Sequence, residues 1–199
     1  MKDKEILEAV FVLSLLHGRT DATRLKKEVG LSREEMRRRL RVLRGNGYVE
    51  VRGSRLFLNP KGRRTFKVVF MGGTFEIIHP GHIDTIQQAK KLGDVLVAVV
   101  ARDATVRRRK GRDPIVSEEE RRGVLSAIKY VDVAMLGSES NIYDTLEKVG
   151  PDIVALGYDQ YHQEAEIALE ATRRGIRLSV VRLGSLNPIL KTSKILAQL

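Results

Sequence analysis

The chain has 199 residues, 42% apolar and 31% charged, with a net charge of +11: the composition of a globular protein with room for one large domain, or a medium one and a small partner. It has no cysteine, which excludes disulfides, Cys-type zinc fingers and thiol nucleophiles, so a metal would be held by oxygen, by His or by a substrate's phosphates. No apolar run approaches the ~20 residues that cross a bilayer, and the opening Met1-Lys2-Asp3-Lys4-Glu5 has no signal pattern, so the sequence reads as cytoplasmic, without a membrane partner.

The charge sits at the front. Residues 1–66 carry 17 Lys and Arg against 8 Asp and Glu, and residues 67–199 carry 19 against 17, which suggests a polyanionic partner for the first segment or a solvated basic face. Ile6, Leu7, Val10, Leu13 and Leu16 recur at helical spacing up to Gly18. Thr20 or Asp21 can cap a second helix with Leu25 and Val29 inward, ended by Gly30. Ser32 caps a third, with Glu35 as capping-box partner and Met36, Leu40 and Leu43 as its apolar stripe. Tyr48, Val49 and Val51, a Gly53-Ser54 turn, and Leu56, Phe57 and Leu58 read as a hairpin, and residues 59–62 as a linker. This order resembles a winged helix-turn-helix domain over residues 1–64. The resemblance implies DNA as a partner, met by Arg37, Arg38, Arg41 and Arg44 of the third helix and by Ser54 and Arg55 on the wing. A winged helix used for dimerisation or protein docking is the other reading.

From residue 67 the pattern changes. Apolar runs at 68–71, 95–100, 131–136, 153–156 and 178–183 alternate with helical stretches at 83–92, 118–128, 143–149 and 164–174. Strands nearly continuous in Val, Leu and Ile indicate a parallel sheet buried on both faces, hence a doubly wound α/β domain over residues 65–199 that binds ligands beyond the carboxyl ends of its strands. There, after the first strand, stands Gly72-Gly73-Thr74-Phe75-Glu76-Ile77-Ile78-His79-Pro80-Gly81-His82. Glycines let backbone approach a bulky anion, and the start of the next helix offers free N–H groups to phosphate. His79 and His82, three apart, can face one phosphate chain and donate to oxygens that gain charge in a transition state.

This segment resembles the signature of the HxGH nucleotidyltransferase superfamily, and the resemblance runs through residues 67–199. It implies a Rossmann-like fold in which His79 and His82 contact the transferring phosphates and Gly72, Gly73, Thr74 and Phe75 hold the nucleotide. Glu76 stands where cytidylyltransferase-like members usually carry Asp. Lys110, in a basic loop over residues 107–113, matches the family's loop lysine, and Arg121 the arginine that faces the active site, within a segment where Glu120 replaces Gln. Thr192 and Ser193 match the motif that offers hydroxyls and N–H groups to the triphosphate. Leu156-Gly157-Tyr158-Asp159-Gln160 resembles archaeal-type FAD synthetases, which implies substrate roles for Gly157 and Asp159, ATP and FMN as substrates, FAD and pyrophosphate as products, and Mg²⁺ or another divalent ion held mostly by phosphates. Tyr158 is the candidate for stacking on a flavin, and His162 reads as a surface residue. Two alternatives stand beside this one: a cytidylyltransferase using CTP and glycerol 3-phosphate or a similar alcohol phosphate, and a nucleotide-sensing DNA-binding transcription regulator. A homodimer fits both modules by analogy.

Overall fold

A computed structural model describes residues 2–184 and residue 195. The chain divides into two compact units, Met1–Phe66 and Lys67–Leu199.

The first unit opens with α1 (Lys2–His17), whose buried Ile6, Leu7, Val10 and Leu13 lie at helical spacing. A two-residue strand β1 (Thr20–Asp21) leads into α2 (Ala22–Val29), where Asp21 accepts hydrogen bonds from the Thr23 and Arg24 N–H groups and is the cap. In α3 (Arg33–Gly45), Ser32 accepts from the Glu35 N–H. The return half of the expected capping box is not made, because the Glu35 carboxylate binds Arg38 and Arg39 instead. β2 (Val49–Arg52) and β3 (Arg55–Leu58) form the hairpin, and β1 adds to β3, giving an antiparallel sheet in the order β1-β3-β2. The expected linker over residues 59–62 is in fact a short helix, α4 (Pro60–Arg63), with Pro60 at its first turn. Gly62 packs so closely there that a Cβ would collide with the Tyr48 carbonyl.

The second unit is a five-stranded parallel sheet in the order β6-β5-β4-β7-β8, built from β4 (Val68–Gly73), β5 (Val95–Val100), β6 (Val133–Leu136), β7 (Ile153–Leu156) and β8 (Ser179–Arg182). Every residue of β5 is buried, as expected of a parallel strand covered on both faces. The connecting helices are α5 (Pro80–Lys90), α6 (Asp103–Lys110), α7 (Glu118–Ser126), α8 (Ile142–Val149) and α9 (Glu164–Arg173). The expected basic loop over residues 107–113 is mostly the last turn of α6, which sequence patterning missed because only Val106 of that helix is buried. At the amino ends of the strands, aspartates hold the backbone: Asp94 accepts from the Lys67 N–H at 2.7 Å, Asp132 from Leu96 at 2.6 Å and Asp152 from Val68 at 2.8 Å. The chain builds β4, β5 and β6 in one direction, then crosses to place β7 on the other flank of β4. The carboxyl ends of β4 and β7 thus meet where the winding reverses, the point at which such sheets open a crevice.

Candidate active site at the carboxyl ends of β4 and β7

The end of β4 is shaped by Phe75. Its backbone takes the left-handed conformation at φ 52°, sparsely populated by residues other than Gly, and its ring is buried. A Cβ on Gly73 would lie 2.8 Å from that ring, so the glycine is what allows the ring to fold under the strand end. Phe75 therefore supports the turn from below and reaches the His82 ring at 5.7 Å. His79 is the N-cap of α5, with Pro80 in its first turn. The extended backbone at His79 and one helical turn to His82 bring the two rings to 4.0 Å. The Nδ1 atom of each ring is buried without a hydrogen-bond partner. Burial lowers the pKa of His79, and burial together with the neighbouring His79 lowers His82 to about 4, against opposing contributions from the Ile77 backbone and Asp159. Both rings are neutral at pH 7, and each holds a buried polar atom with nothing to bind, an arrangement that calls for a ligand.

The motif opens onto a cleft of about 520 Å³, whose lining among the described residues does not include His79 or His82. Its apolar floor includes Phe70, Val99, Val154 and Leu156. Arg102, Arg108, Arg109 and Lys110 line it and, among the described residues, Asp159 is the one carboxylate that does. Gly72, Gly73 and Thr74 form one edge. Across the switch point, the Gln160 amide donates to the Gly72 carbonyl at 2.6 Å, tying the loop after β7 to the end of β4. Gly157 turns that loop, and its carbonyl accepts from Arg182 at 3.1 Å. Arg182 also donates to the carbonyls of Gln160 at 2.9 Å and His162 at 2.6 Å and pairs with Glu164. Sequence reading missed Arg182, which lies within the apolar run at 178–183. It also placed His162 on the surface, whereas His162 lines the cleft together with Tyr161. Tyr158 is not among the lining residues. Thr192 and Ser193 lie outside the described residues.

Two expected phosphate-facing residues have structural partners. The Glu76 carboxylate is fully buried and bidentate to Arg112 at 2.7 and 2.9 Å, with the Ile115 N–H at 3.0 Å and the Lys110 ammonium at 3.5 Å. Arg112 chiefly holds Glu76 down to about pKa 2, aided by the Ile115 N–H and Lys110. Glu76 thus pins residues 110–115 over the motif. Lys110 lines the cleft at the edge of this cluster. The Arg121 side chain has no exposed surface. It donates to the carbonyls of Thr74, Ala101 and Val116 and pairs with Asp103 at 2.6 Å. In place of the expected role facing the active site, these partners make Arg121 a clamp on the backbone that follows β4 and β5. Glu120, in the position of the family's Gln, completes a capping box with Ser117.

Among the described residues no three His, Cys, Asp or Glu side chains converge as a metal cage, and no helix is long and apolar enough to cross a membrane.

Residues 70–195 match the family described as Cytidylyltransferase-like. The chain is 49% identical over 117 residues to the FAD synthase of Ferroglobus placidus, covering 59% of this chain and 76% of that one. It is 50% identical over 115 residues to the FAD synthase of Aciduliprofundum boonei, covering 58% and 76%. Among solved structures, the lipopolysaccharide core biosynthesis protein of Thermoplasma volcanium superposes with a TM-score of 0.58 at 43% identity, over 60% of this chain and 98% of that one. The fold, the phosphate-type motif at the switch point and a match over more than half the chain lead to one conclusion: this protein belongs to the Cytidylyltransferase-like family of nucleotidyltransferases, with archaeal FAD synthases among its relatives.

Proposed function

We propose that the chain is an FAD synthase, which moves AMP from ATP to FMN and releases pyrophosphate. The observation that carries this reading is the basic cleft edged by Gly72, Gly73 and Thr74, with two buried, unpartnered imidazole nitrogens on the same motif, a site suited to a polyphosphate. The FAD synthase relatives support AMP as the group moved and FMN as the acceptor. An oxygen of the FMN phosphate attacks the α-phosphorus of ATP, and the bond from that phosphorus to the β-bridging oxygen breaks. No covalent enzyme intermediate is required. Gly72, Gly73, Thr74 and the start of α5 hold the phosphates through backbone N–H groups. His79, His82 and Lys110 donate to oxygens that gain charge as pyrophosphate leaves. Arg121 acts at one remove, by fixing Thr74 and Ala101. Among the described residues Asp159 is the one carboxylate lining the cleft; it would help the triphosphate oxygens hold a divalent ion such as Mg²⁺, which would supply charge neutralisation to the leaving pyrophosphate. ATP labelled at the α-phosphate tests this reading: label is expected in the flavin product, and label found only in nucleotide or inorganic phosphate contradicts it.

We propose that residues 1–64 form a winged-helix domain that binds duplex DNA. The observation that favours it is a division among the α3 arginines. Arg38 and Arg39 are paired with Glu35, and Arg39 also with Asp3, whereas Arg37, Arg41 and Arg44 are exposed and form no ion pair among the described residues. The three lie on one stripe at i, i+4 and i+7. Arg55 stands exposed on the hairpin. The full chain is expected to retard duplex DNA with an affinity that falls steeply with salt, and Arg37→Ala with Arg41→Ala to flatten that slope by about two. Absence of retardation at low salt contradicts the reading.

A further inference from the structure

The proposed reaction leaves one cluster at the cleft unused. Tyr161 is 57% exposed and lines the cleft mouth. Its backbone is not loose: Arg182 holds the carbonyls on either side, at Gln160 and His162, and is itself anchored by Glu164. Its ring lies 4.0 Å from the His162 ring at 37°, and its hydroxyl meets the His162 Nε2 at 2.5 Å. From α6 the Arg109 guanidinium rests over the tyrosine ring, 4.1 Å from its centroid. Among the described residues no carboxylate pairs with Arg109. Burial and the neighbouring Arg108 both disfavour its charge.

A rigidly backed aromatic ring left open to water does not contribute to the core, and the Arg109 guanidinium over it is exposed, with no carboxylate partner among the described residues, and so is available to an anion. Each points to something that arrives. A planar cation on an aromatic face occupies the position that a planar ring would take. We propose that Tyr161 and His162 form the stacking platform for the acceptor's flat ring system, and that Arg109 moves from the Tyr161 ring to the acceptor's phosphate when the acceptor binds. The inference rests on the FAD-synthase reading and assigns the flavin end of that site, placing the ring at the cleft mouth and its phosphate toward the motif at Gly72.

The test uses the full chain with FMN and with riboflavin, the same ring without the phosphate. Flavin fluorescence is expected to be quenched on binding to the wild type. Tyr161→Leu should weaken both flavins on the order of tenfold and remove the quenching, whereas Tyr161→Phe should retain both. Arg109→Met should weaken FMN on the order of tenfold but leave riboflavin within about twofold. ATP affinity should hold in the two Tyr161 variants. Unchanged FMN binding in Tyr161→Leu, or an equal loss of ATP binding, overturns the assignment while leaving the reaction intact. A wild-type protein that binds neither flavin and makes no FAD overturns the parent reading as well, so the two failures are told apart by the wild type alone.

Discussion

Replacing Glu76 with Gln probes the cluster that holds the cleft's basic edge. The wild-type carboxyl is depressed from 4.5 to about 2, first by Arg112, a difference of roughly 3 kcal/mol at about 1.4 kcal/mol per unit. Arg112 and Lys110 are about 40% exposed, so solvent screening reduces this to about 2 kcal/mol. The sign follows from the depressed value. The unfolded chain takes up the proton first as pH falls, so the stabilisation is complete above 4.5 and is lost between 4.5 and about 2. Glu76→Gln keeps the shape and an acceptor for the Ile115 N–H but leaves Arg112 without its partner. Calorimetry at pH 7 should show Tm lower by about 4–8 °C, and the fall in stability between pH 4.5 and 3 should be shallower than in the wild type. With residues 110–115 released, the KM for ATP should rise several-fold through Lys110. An unchanged Tm together with an unchanged acid slope would refute the claim that this ion pair organises the site.

Three further outcomes follow from the geometry. Gly73→Ala places a methyl 2.8 Å from the Phe75 ring, so it should cost about 1–3 kcal/mol and lower kcat through the Phe75–His82 contact, as read by denaturant unfolding and steady-state rates. Arg121→Met leaves the Asp103 carboxylate and three carbonyls without their donor, and stability should fall by about 3 kcal/mol or more. His82 titrates near 4 in the free protein, and a bound triphosphate favours its protonated form. ATP binding at pH 5–6 should therefore take up protons, seen as a dependence of the binding heat on buffer ionisation, and His82→Gln should abolish part of that uptake.

Much of the second unit was legible because its strands are unbroken apolar runs, and the Gly72–His82 motif because its spacing constrains backbone and imidazole together. Helix α6 was not, since residues 107–110 are all basic and give no apolar stripe. Helix α4 was hidden by Pro60 and Gly62, which usually punctuate loops, although Pro at a first turn is compatible with a helix. Residue type alone did not reveal partners. Arg121 reads as a phosphate ligand until Asp103 is seen beside it, and Arg182 carries no signal until the loop after β7 folds back onto it. Tyr161 was passed over for Tyr158 because the motif ended one residue too early.

The central claim, AMP transfer to FMN at the β4–β7 crevice, is tested most directly by pyrophosphate release from the full chain with Mg²⁺, crossing ATP and CTP against FMN and glycerol 3-phosphate. Release with ATP and FMN alone is expected, reduced by about 10²–10³ in His79→Ala. Release only with CTP and glycerol 3-phosphate, or no release from any pair while nucleotide still binds, would contradict the account.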